Sequence, residues 1–458
     1  MTRQPFHPST GLSLKRIALV FLLPLLWTPA IVFSQDAVRP SLAGQATAEA
    51  RRQDVDRLPY NLELGPVKFR LSATVGAEYN DNINLADDGT AFVRPLGGGP
   101  KFLVTTHTQD DVIIRPQVNI DAFWPVTQLN TLRLDLGLGY AFYIDHSNAD
   151  TNAILISPGS QLAFDIFVGD FRINFHDRPS LQQDPIAELA LSNVVDYGRF
   201  ENTGGVSVLW DLNKILLTLG YDHYNYISLV NAFDYLDRNS EEFSGSLQFM
   251  VASTTGIGVE GYGVLTDYDK TLLNDNIDYA VGGFLETQLS SNLKLRIAGG
   301  AQWIDFDDRT VRLFLPIAPG IVAAVPFLDH KNVMDYYANI LLTHRLNATI
   351  KQTISAGHEN QLGVNSNSIR LNYVRHTVSW NIIRNTLLST EFFFEDANDS
   401  GGFIDEHLHR YGGALTLGYQ LTPHVTLGAR YQYTQKDSNV PLRDYQQNRV
   451  SVDGTYSF

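Results

Sequence analysis

The sequence of 458 residues contains no cysteine and few basic residues, 34 against 49 acidic ones. Without cysteine, no disulfide can stabilise the fold, even in an oxidising compartment. Because phosphate groups are bound by lysine and arginine, the acidic surplus argues against nucleic acid as a partner. Long apolar runs are also missing beyond residue 34, so the remainder of the sequence predicts no membrane-spanning helix.

The first 34 residues have the organisation of a secretory signal peptide. Arg3 and Lys15-Arg16 precede the apolar stretch Ile17–Ile31, and Ser34 provides a small residue at the expected cleavage point. A membrane anchor is the alternative, but the stretch is short for a span of about 20 residues and two prolines interrupt it. Cleavage would remove three basic residues and no acidic ones, which leaves 31 basic against 49 acidic residues, a net charge of −18.

From Val67 onward the sequence alternates between apolar and polar residues. A strict period of two is typical of a β-strand with one apolar and one polar face. In the first segment the apolar positions are Val67, Phe69, Leu71, Ala73, Val75, Ala77 and Tyr79. The pattern recurs at Val112–Trp124, Leu132–Ile144, Ile154–Val168, Ile215–Tyr221, Phe243–Val251, Leu293–Trp303, Val374–Ile382, Leu415–Leu421, Val425–Tyr433 and Val450–Phe458.

The length of these segments favours a membrane barrel over a soluble β-sandwich, whose strands would be shorter. A tilted strand crosses the hydrocarbon layer with roughly 9–11 residues. Short connections such as Gly169-Asp170 alternate with long acidic loops, among them 177–200 and 304–334. This alternation is typical of barrels with periplasmic turns and extracellular loops. We therefore predict an all-β fold, a single transmembrane antiparallel barrel of about 18 strands in the outer membrane of a Gram-negative cell.

The sequence thus divides into three expected parts. Residues 1–34 form the signal peptide, and residues 67–458 form the barrel, with both termini on the periplasmic side. Residues 35–66 lack the alternation and are expected to be a periplasmic lead that is disordered or contains one or two helical turns. Trp124, Trp210 and Trp380 have outward parity near short turns, which predicts an aromatic girdle at the periplasmic interface.

The last strand, Val450–Phe458, contains Tyr456 and ends in Phe458. A final alternating strand with a terminal phenylalanine resembles the β-signal by which the barrel assembly machinery of the outer membrane recognises its clients. The resemblance implies that this machinery is a partner and that Tyr456 and Phe458 form the assembly signal.

The first strand and two turns also resemble a known family. Residues Ala77–Ile83 read Ala-Glu-Tyr-Asn-Asp-Asn-Ile, and the turns Leu346-Asn347 and Leu421-Thr422-Pro423 each precede a new strand. They are similar to the putative β-barrel porins of gene clusters for surface polysaccharide, over about residues 67–458. The resemblance implies an outer-membrane pore that serves as a conduit for polysaccharide export.

Basic residues with lumen-facing parity are the candidate solute-binding groups. A ring of such groups would attract anions, for example uronate polymers. The alternative is a solvated lumen in which they pair with acidic residues of the same parity, Asp121, Asp135, Asp222, Glu286 and Glu391. The basic candidates are Arg115, Arg133, Lys294, Arg296, Lys351, Arg375, Arg430 and Arg449.

Residues 313–328 are almost wholly apolar and carry three prolines, in contrast to the other long loops. Exposing such a segment to water is unfavourable by roughly 25 cal/mol per Å² of apolar area. We therefore hypothesise a loop that folds inward and narrows the pore, with packing on neighbouring loops as the alternative. The candidate constriction residues are Leu313, Phe314, Pro316, Pro319, Pro326 and Phe327.

Nothing in the sequence indicates catalysis, a cofactor or a metal. Gly-x-Ser-x-Gly and His-Glu-x-x-His motifs are absent, and His223, His344 and His376 lie on different strands. Asn80-x-Asn82-x-Asn84 lacks the spacing and final glutamate of a calcium-binding EF-hand loop. We expect a porin-like transport protein and no enzyme, although outer-membrane enzymes do exist.

The expected partners are outer-membrane lipid and lipopolysaccharide, together with an exported polysaccharide or small solutes in the lumen. The acidic loops could contact lipopolysaccharide through divalent ions. A plugged barrel with a structural or anchoring role is the alternative function. Barrels of 16–18 strands usually leave an aqueous channel, which favours the pore.

Overall fold

A computed structural model describes residues 60–93, 100–151, 153–307, 311–318, 321–327, 332–400 and 405–458. For residues 311–318 and 321–327 it describes the backbone alone. The predicted signal peptide and residues 35–59 of the predicted lead lie outside the described residues. No helix in the described part of the chain is long and apolar enough to cross a membrane.

Eighteen antiparallel strands of the described residues form one closed barrel, as the alternation predicted. Each strand pairs with the next along the chain, and the last pairs with the first, where Tyr456 lies opposite Ala73. The strands are β1 (Val67–Asn80), β2 (Asp111–Pro125), β3 (Asn130–Gly139), β4 (Gln161–Val168), β5 (Phe171–Gln182), β6 (Arg199–Asp211), β7 (Ile215–Ser228), β8 (Arg238–Ala252), β9 (Thr255–Tyr268), β10 (Asn276–Ser290), β11 (Leu293–Phe306), β12 (Val333–Asn347), β13 (Ile350–Leu362), β14 (Ser368–Ile383), β15 (Thr386–Asp399), β16 (His407–Gln420), β17 (Val425–Ser438) and β18 (Tyr445–Ser457).

The connections differ in length between the two ends of the barrel. At one end, turns of two to four residues join the strands, and at the other end the connections have five to thirty residues. These ends are called the short-turn end and the long-loop end. The first strand begins and the last strand ends at the short-turn end, where the backbone N–H of Phe458 donates to the carbonyl of Leu71 at 3.1 Å.

The two faces of the strands have opposite character. Outward side chains such as Val75, Val259 and Val281 are apolar and 56–60% exposed on the isolated chain. Inward side chains such as Gln302 and Glu260 are polar and buried within the barrel. This is the arrangement of a barrel in lipid, since the apolar side chains face outward and the polar ones face the lumen.

Aromatic residues concentrate near both ends of the outer face. At the short-turn end, Trp210 stacks on Phe171 with ring centroids 5.0 Å apart. At the long-loop end, Trp303 stacks on Tyr279 at 5.3 Å. Indole and phenol rings favour the interface between hydrocarbon and water, so these positions mark its two levels.

Several short elements lie outside the ring of eighteen strands. Leu62–Leu64, within the predicted lead, pairs with the start of β1, so this part of the lead is a short strand. Two separate hairpins arise from long-loop connections, one of Gly89–Val93 with Phe102–Thr106 and one of Val311–Ala318 with Ile321–Phe327. The remaining elements are the strands Phe142–Tyr143 and Leu155–Ile156 and the 3₁₀-helices Ser147–Ala149, Pro185–Ala187 and Asn231–Leu236.

Close packing of glycines in the middle of β10 and β11 yields a stability prediction. Gly300 lies opposite Gly282, and a Cβ at Gly300 would lie 2.1 Å from the carbonyl oxygen of Val281. A Cβ at Gly263, on the outer face of β9, would have no atom within 4 Å. We expect Gly300→Val to destabilise the barrel by at least about 1–3 kcal/mol, whereas Gly263→Val should not.

Heat-modifiable migration in gel electrophoresis measures the folded fraction of both variants after refolding into detergent. The prediction is a smaller folded fraction for Gly300→Val alone. Equal folded fractions for the two variants would contradict the close approach of β10 and β11.

Candidate functional site in the barrel lumen

Residues 183–198, here called the crossing loop, join β5 to β6 and enter the lumen from the long-loop end. The loop begins with the 3₁₀-helix Pro185–Ala187, and the carboxylate of Asp184 caps it by accepting from the N–H of Ile186 at 3.1 Å. Proline at the first helical position has a suitable fixed φ angle and lacks an N–H that would stay unpaired. Further along, Ala190 and Leu191 are buried inside the barrel.

Polar side chains of the opposite side of the barrel hold the backbone of the crossing loop. Arg410 of β16 donates to the carbonyl of Ile186 at 2.6 Å. Asn365, from the connection between β13 and β14, donates to the carbonyl of Ala190 at 3.0 Å, and Arg443 donates to the same oxygen. Counted the shorter way around the ring of eighteen strands, these three residues lie five to nine positions from β5, so the loop spans the lumen instead of projecting outward.

Apolar contacts add to these hydrogen bonds. Leu191 and Tyr197 belong to one buried cluster with side chains of β7, β9 and neighbouring loops, among them Leu236 and Val364. Leu189 and Ala190 belong to a second cluster with β14, β15 and β16. The interior of the barrel therefore contains small hydrophobic cores at the level of the crossing loop.

A buried group of charges supports the crossing loop from the side of β17. The side chains of Lys436 and Glu406 are fully buried and 2.9 Å apart, and Arg443 Nε lies 3.0 Å from the second oxygen of Glu406. Lys436 Nζ also lies 3.2 Å from Ser192 Oγ of the loop. Burial alone would raise the pKa of Glu406, but the adjacent Lys436 and Arg443 hold that pKa below its ordinary value. Glu406 is therefore ionised at neutral pH.

The start of the crossing loop is joined to the barrel by a second charged group. Arg449 of β18 lies 2.7 Å from Asp184 and 2.8 Å from Glu78 of β1, and Arg115 of β2 lies 3.3 Å from Glu78. Burial by itself would raise the pKa of Asp184, but Arg449 and Arg115 lower it below the ordinary value. Asp184 thus carries its charge throughout the neutral range and fixes the loop to the two strands that close the barrel.

Two cavities inside the barrel adjoin the crossing loop. The larger has a volume of about 520 Å³ and the smaller about 120 Å³, and Gln182 and Ala187 line both. The larger cavity is lined by the tyrosines Tyr197, Tyr224, Tyr226, Tyr262 and Tyr337, the arginines Arg199, Arg238, Arg375 and Arg410, and the carboxylates Glu188, Glu201, Glu242, Asp278, Glu359 and Glu395.

The arginines of the larger cavity have defined partners. Arg410 Nε donates to Glu395 at 2.6 Å, and Arg375 lies 3.2 Å from Glu391. The guanidinium of Arg238 lies over the ring of Tyr226, 4.5 Å from its centroid. Such ion pairs and cation–π contacts fix the side chains in place and reduce the net field in the lumen.

The eight basic residues selected by parity all lie on inward positions. Five are in ion pairs with carboxylates: Arg115 and Arg449 as described above, Arg133 with Asp165, Arg296 with Glu260 and Arg375 with Glu391. Arg430 donates to Gln432 at 2.9 Å, and Lys294 and Lys351 are exposed at the short-turn end. Paired charges predominate over a ring of free guanidinium groups. Of the acidic partners considered from the sequence, Glu391 pairs with Arg375 of this group, and Asp121 pairs with Arg70 instead.

The candidate constriction residues are distributed over the second hairpin. Leu313, Phe314 and Pro316 lie on Val311–Ala318, and Pro326 and Phe327 lie on Ile321–Phe327. Pro319 and the side chains of this hairpin lie outside the described residues, so narrowing of the pore by this segment stays a prediction.

The remaining candidates are the predicted assembly signal and the three asparagines of residues 80–84. The rings of Tyr456 and Phe458 contact each other edge-on at 5.1 Å on the outer face, and their role in assembly stays a prediction. The side-chain oxygens of Asn80, Asn82 and Asn84 accept backbone N–H groups of their own loop.

Sequence reasoning missed the crossing loop, which it placed among the acidic extracellular loops. A signal was present, because Leu189-Ala190-Leu191 is apolar within residues 177–200. It also missed inward basic residues at the ends of strands, namely Arg199, Arg238, Arg410 and Lys436. Extending the alternation of each strand to its last residue at the long-loop end would have placed these four residues on the inward face.

The ion pair between Asp184 and Arg449 gives a test of the crossing loop. We expect Arg449→Ala to weaken the attachment of the loop by about 1.5–3 kcal/mol, the usual contribution of a hydrogen bond to a charged group. A loosened loop should produce larger or more fluctuating single-channel currents in a planar bilayer. The matched control is Arg133→Ala, which removes a lumen ion pair near the short-turn end. Identical currents for the two variants would contradict the assigned role of Arg449.

Known proteins provide a comparison with this geometry. Residues 336–458, the last seven strands, match the family described as putative beta-barrel porin 2. Among curated proteins, none matches the chain. The solved structures of similar fold are distant, with TM-scores of 0.45 and 9–10% sequence identity. Each of these matches covers 85% of this chain.

Three of these structures come from species of Pseudomonas. OpdK of Pseudomonas aeruginosa was solved with vanillate, and the match covers 99% of the OpdK chain. OccK2 (OpdF) of Pseudomonas aeruginosa was solved in complex with glucuronate, with 98% covered, and a BenF-like porin of Pseudomonas fluorescens Pf-5 is covered to 99%. The resemblance to the putative β-barrel porins is confirmed for residues 336–458, and the described residues form a closed antiparallel β-barrel of eighteen strands.

Proposed function

We propose that this protein is a selective pore for linear, carbohydrate-like solutes, and that its selectivity arises at the crossing loop. The observation that carries the proposal is the crossing loop of residues 183–198, which is held inside the polar lumen and lines a cavity of about 520 Å³. A cavity of this size is within the range of about 300–1,000 Å³ typical of small-molecule sites. A solute that passes this level must contact its side chains.

The chemistry of the cavity suits sugars. Five tyrosines line it, and the C–H face of a pyranose ring can pack against an aromatic ring such as that of Tyr262, whereas Arg238 covers one face of Tyr226. Carboxylates and amides, among them Asp278, Glu359 and Gln302, offer hydrogen-bond partners for hydroxyl groups. Because most of the arginines are in ion pairs, recognition by hydrogen bonds and ring contacts is favoured over attraction of a highly charged anion.

Export of a surface polysaccharide is the finer form of the proposal. It is supported by the match of residues 336–458 to the putative β-barrel porin family and by the sequence resemblance described above. The crossing loop would admit one extended chain and exclude a folded or branched one. In this role the protein is a channel and performs no catalysis.

A plugged barrel with a structural role is the second candidate. The specific observation in its favour is the number of anchors on the crossing loop, since Arg410, Asn365, Arg443 and Arg449 all bind it. A loop held at so many points is a fixed part of the barrel, and it could close the lumen entirely.

Planar-bilayer recordings distinguish the two functions. For the pore, we expect discrete current steps that a neutral linear hexasaccharide reduces reversibly. A uronate hexamer should block no better than the neutral one, because the arginines are paired. The absence of steps from a heat-modifiable, folded preparation would support the plugged barrel and contradict the pore.

Two variants refine the recordings. Tyr262→Ala, in the larger cavity, should weaken the block by the neutral hexasaccharide, whereas Tyr431→Ala, on the outer face of β17, should leave it unchanged.

A variant without residues 313–328 tests the separate hypothesis of a constricting hairpin, which predicts a larger conductance.

A further inference from the structure

A group of metal-ligating side chains lies outside the lumen, on the outer face of β15 and β16 near the long-loop end. His407 Nε2 lies 3.0 Å from Asp396 Oδ1, and His409 Nδ1 lies 3.1 Å from the same oxygen. One ligand atom from each of the three residues lies within 4.8 Å of the other two. The two imidazole rings are in edge-on contact, with centroids 4.8 Å apart.

The β-sheet itself produces this arrangement. His407 and His409 are two positions apart on β16, so their side chains point to the same face. Asp396 of β15 lies directly opposite His409 in the register of the two strands. All three ligands are therefore carried by hydrogen-bonded strands instead of a loop, which fixes their spacing without any ion.

We propose that Asp396, His407 and His409 bind a divalent transition-metal ion of the zinc class. Two imidazoles and one carboxylate are a ligand set for zinc, copper or nickel, whereas calcium and magnesium prefer oxygen ligands alone. With metal–ligand distances of about 2.0–2.2 Å, tetrahedral ligand atoms are separated by about 3.3–3.5 Å. The two contacts of Asp396 at 3.0 and 3.1 Å need to lengthen by a few tenths of an ångström, and the imidazole nitrogens, which lie within 4.8 Å of each other, need to approach to that separation.

Neighbouring residues orient the carboxylate and the strand. Asn372 Nδ2 of β14 donates to Asp396 Oδ2 at 3.1 Å, which leaves Oδ1 directed at the two histidines. Asn439 Oδ1 accepts the backbone N–H of His407 at 2.9 Å. Partners of this kind hold metal ligands in orientation and raise the affinity of a site.

The electrostatic surroundings contain both signs of charge. Asp437 of β17 lies opposite His409 on the same outer face and adds a negative charge. Arg370 of β14 lies opposite Asn398, which in turn lies opposite His407, so β15 separates this cation from His407.

The site is accessible from outside the barrel. The side chains of His407 and His409 are 47% and 46% exposed, and that of Asp396 is 27% exposed. Three protein ligands leave a fourth position of the ion open to water or to a donor group at the membrane surface. A bound ion would also cross-link β15 to β16 beside the connection 400–406, and ligand binding to the folded state alone raises its stability.

Metal titration of the purified, folded barrel tests the proposal. The protein should carry a tag without histidine and be treated with a chelator first. Calorimetric titration with Zn²⁺ should give one saturable ion per barrel, and Co²⁺ should give the visible absorption of a site with nitrogen ligands. The double variant His407→Gln/His409→Gln should lose at least ten-fold in Zn²⁺ affinity.

The matched control is His223→Gln, because His223 is also exposed on the outer face and also lies close to a carboxylate, 2.9 Å from that of Glu241. It should keep the wild-type affinity, and heat-modifiable migration verifies that each variant is folded. Absence of saturable Zn²⁺ binding to the wild type, or equal binding by the double variant, would overturn the proposal. So would an affinity for Ca²⁺ equal to that for Zn²⁺. The result is independent of whether the lumen conducts.

Discussion

The need to pair every backbone N–H and C=O group in a hydrocarbon layer is the constraint on which this structure depends. An open sheet would leave two edges unpaired in lipid, so only closure of the last strand on the first satisfies the chain. That closure, between β18 and β1, also positions Arg449 beside Glu78, and this pair in turn holds Asp184 at the start of the crossing loop. The seam of the barrel and the contents of its lumen are therefore connected.

Eighteen strands enclose more space than their own inward side chains fill. The crossing loop occupies part of this space and contributes apolar side chains such as Leu191, which form small cores with the barrel. Around these cores, buried ions are paired, as in the contact of Lys436 with Glu406. Removing one partner of such a pair is unfavourable, because it leaves an uncompensated buried charge. A lumen built in this way has a defined shape, which a selective pore requires.

The sequence was sufficient to predict what depends on periodicity alone. The outward position of Val75 and the inward position of Arg449 follow from a period of two, and the number of strands follows from counting segments. The crossing loop could not be predicted, because its partners Arg410 and Asn365 are more than 170 residues away in sequence. The contact of Asp396 with His407 was equally hidden, since it depends on the register of β15 against β16. The period of two determines which face of the sheet a residue occupies, but not which residues of other strands or loops it contacts.

Cross-linking of two introduced cysteines tests the central claim that residues 183–198 span the lumen. The native chain has no cysteine, so Ala190→Cys and Asn365→Cys would provide the only two thiols. In the folded barrel, a short bifunctional thiol reagent should join them within one chain and shift its mobility after denaturation. If the folded barrel gives no intramolecular product, and both thiols react with a bulky reagent added from outside, the loop does not cross the lumen.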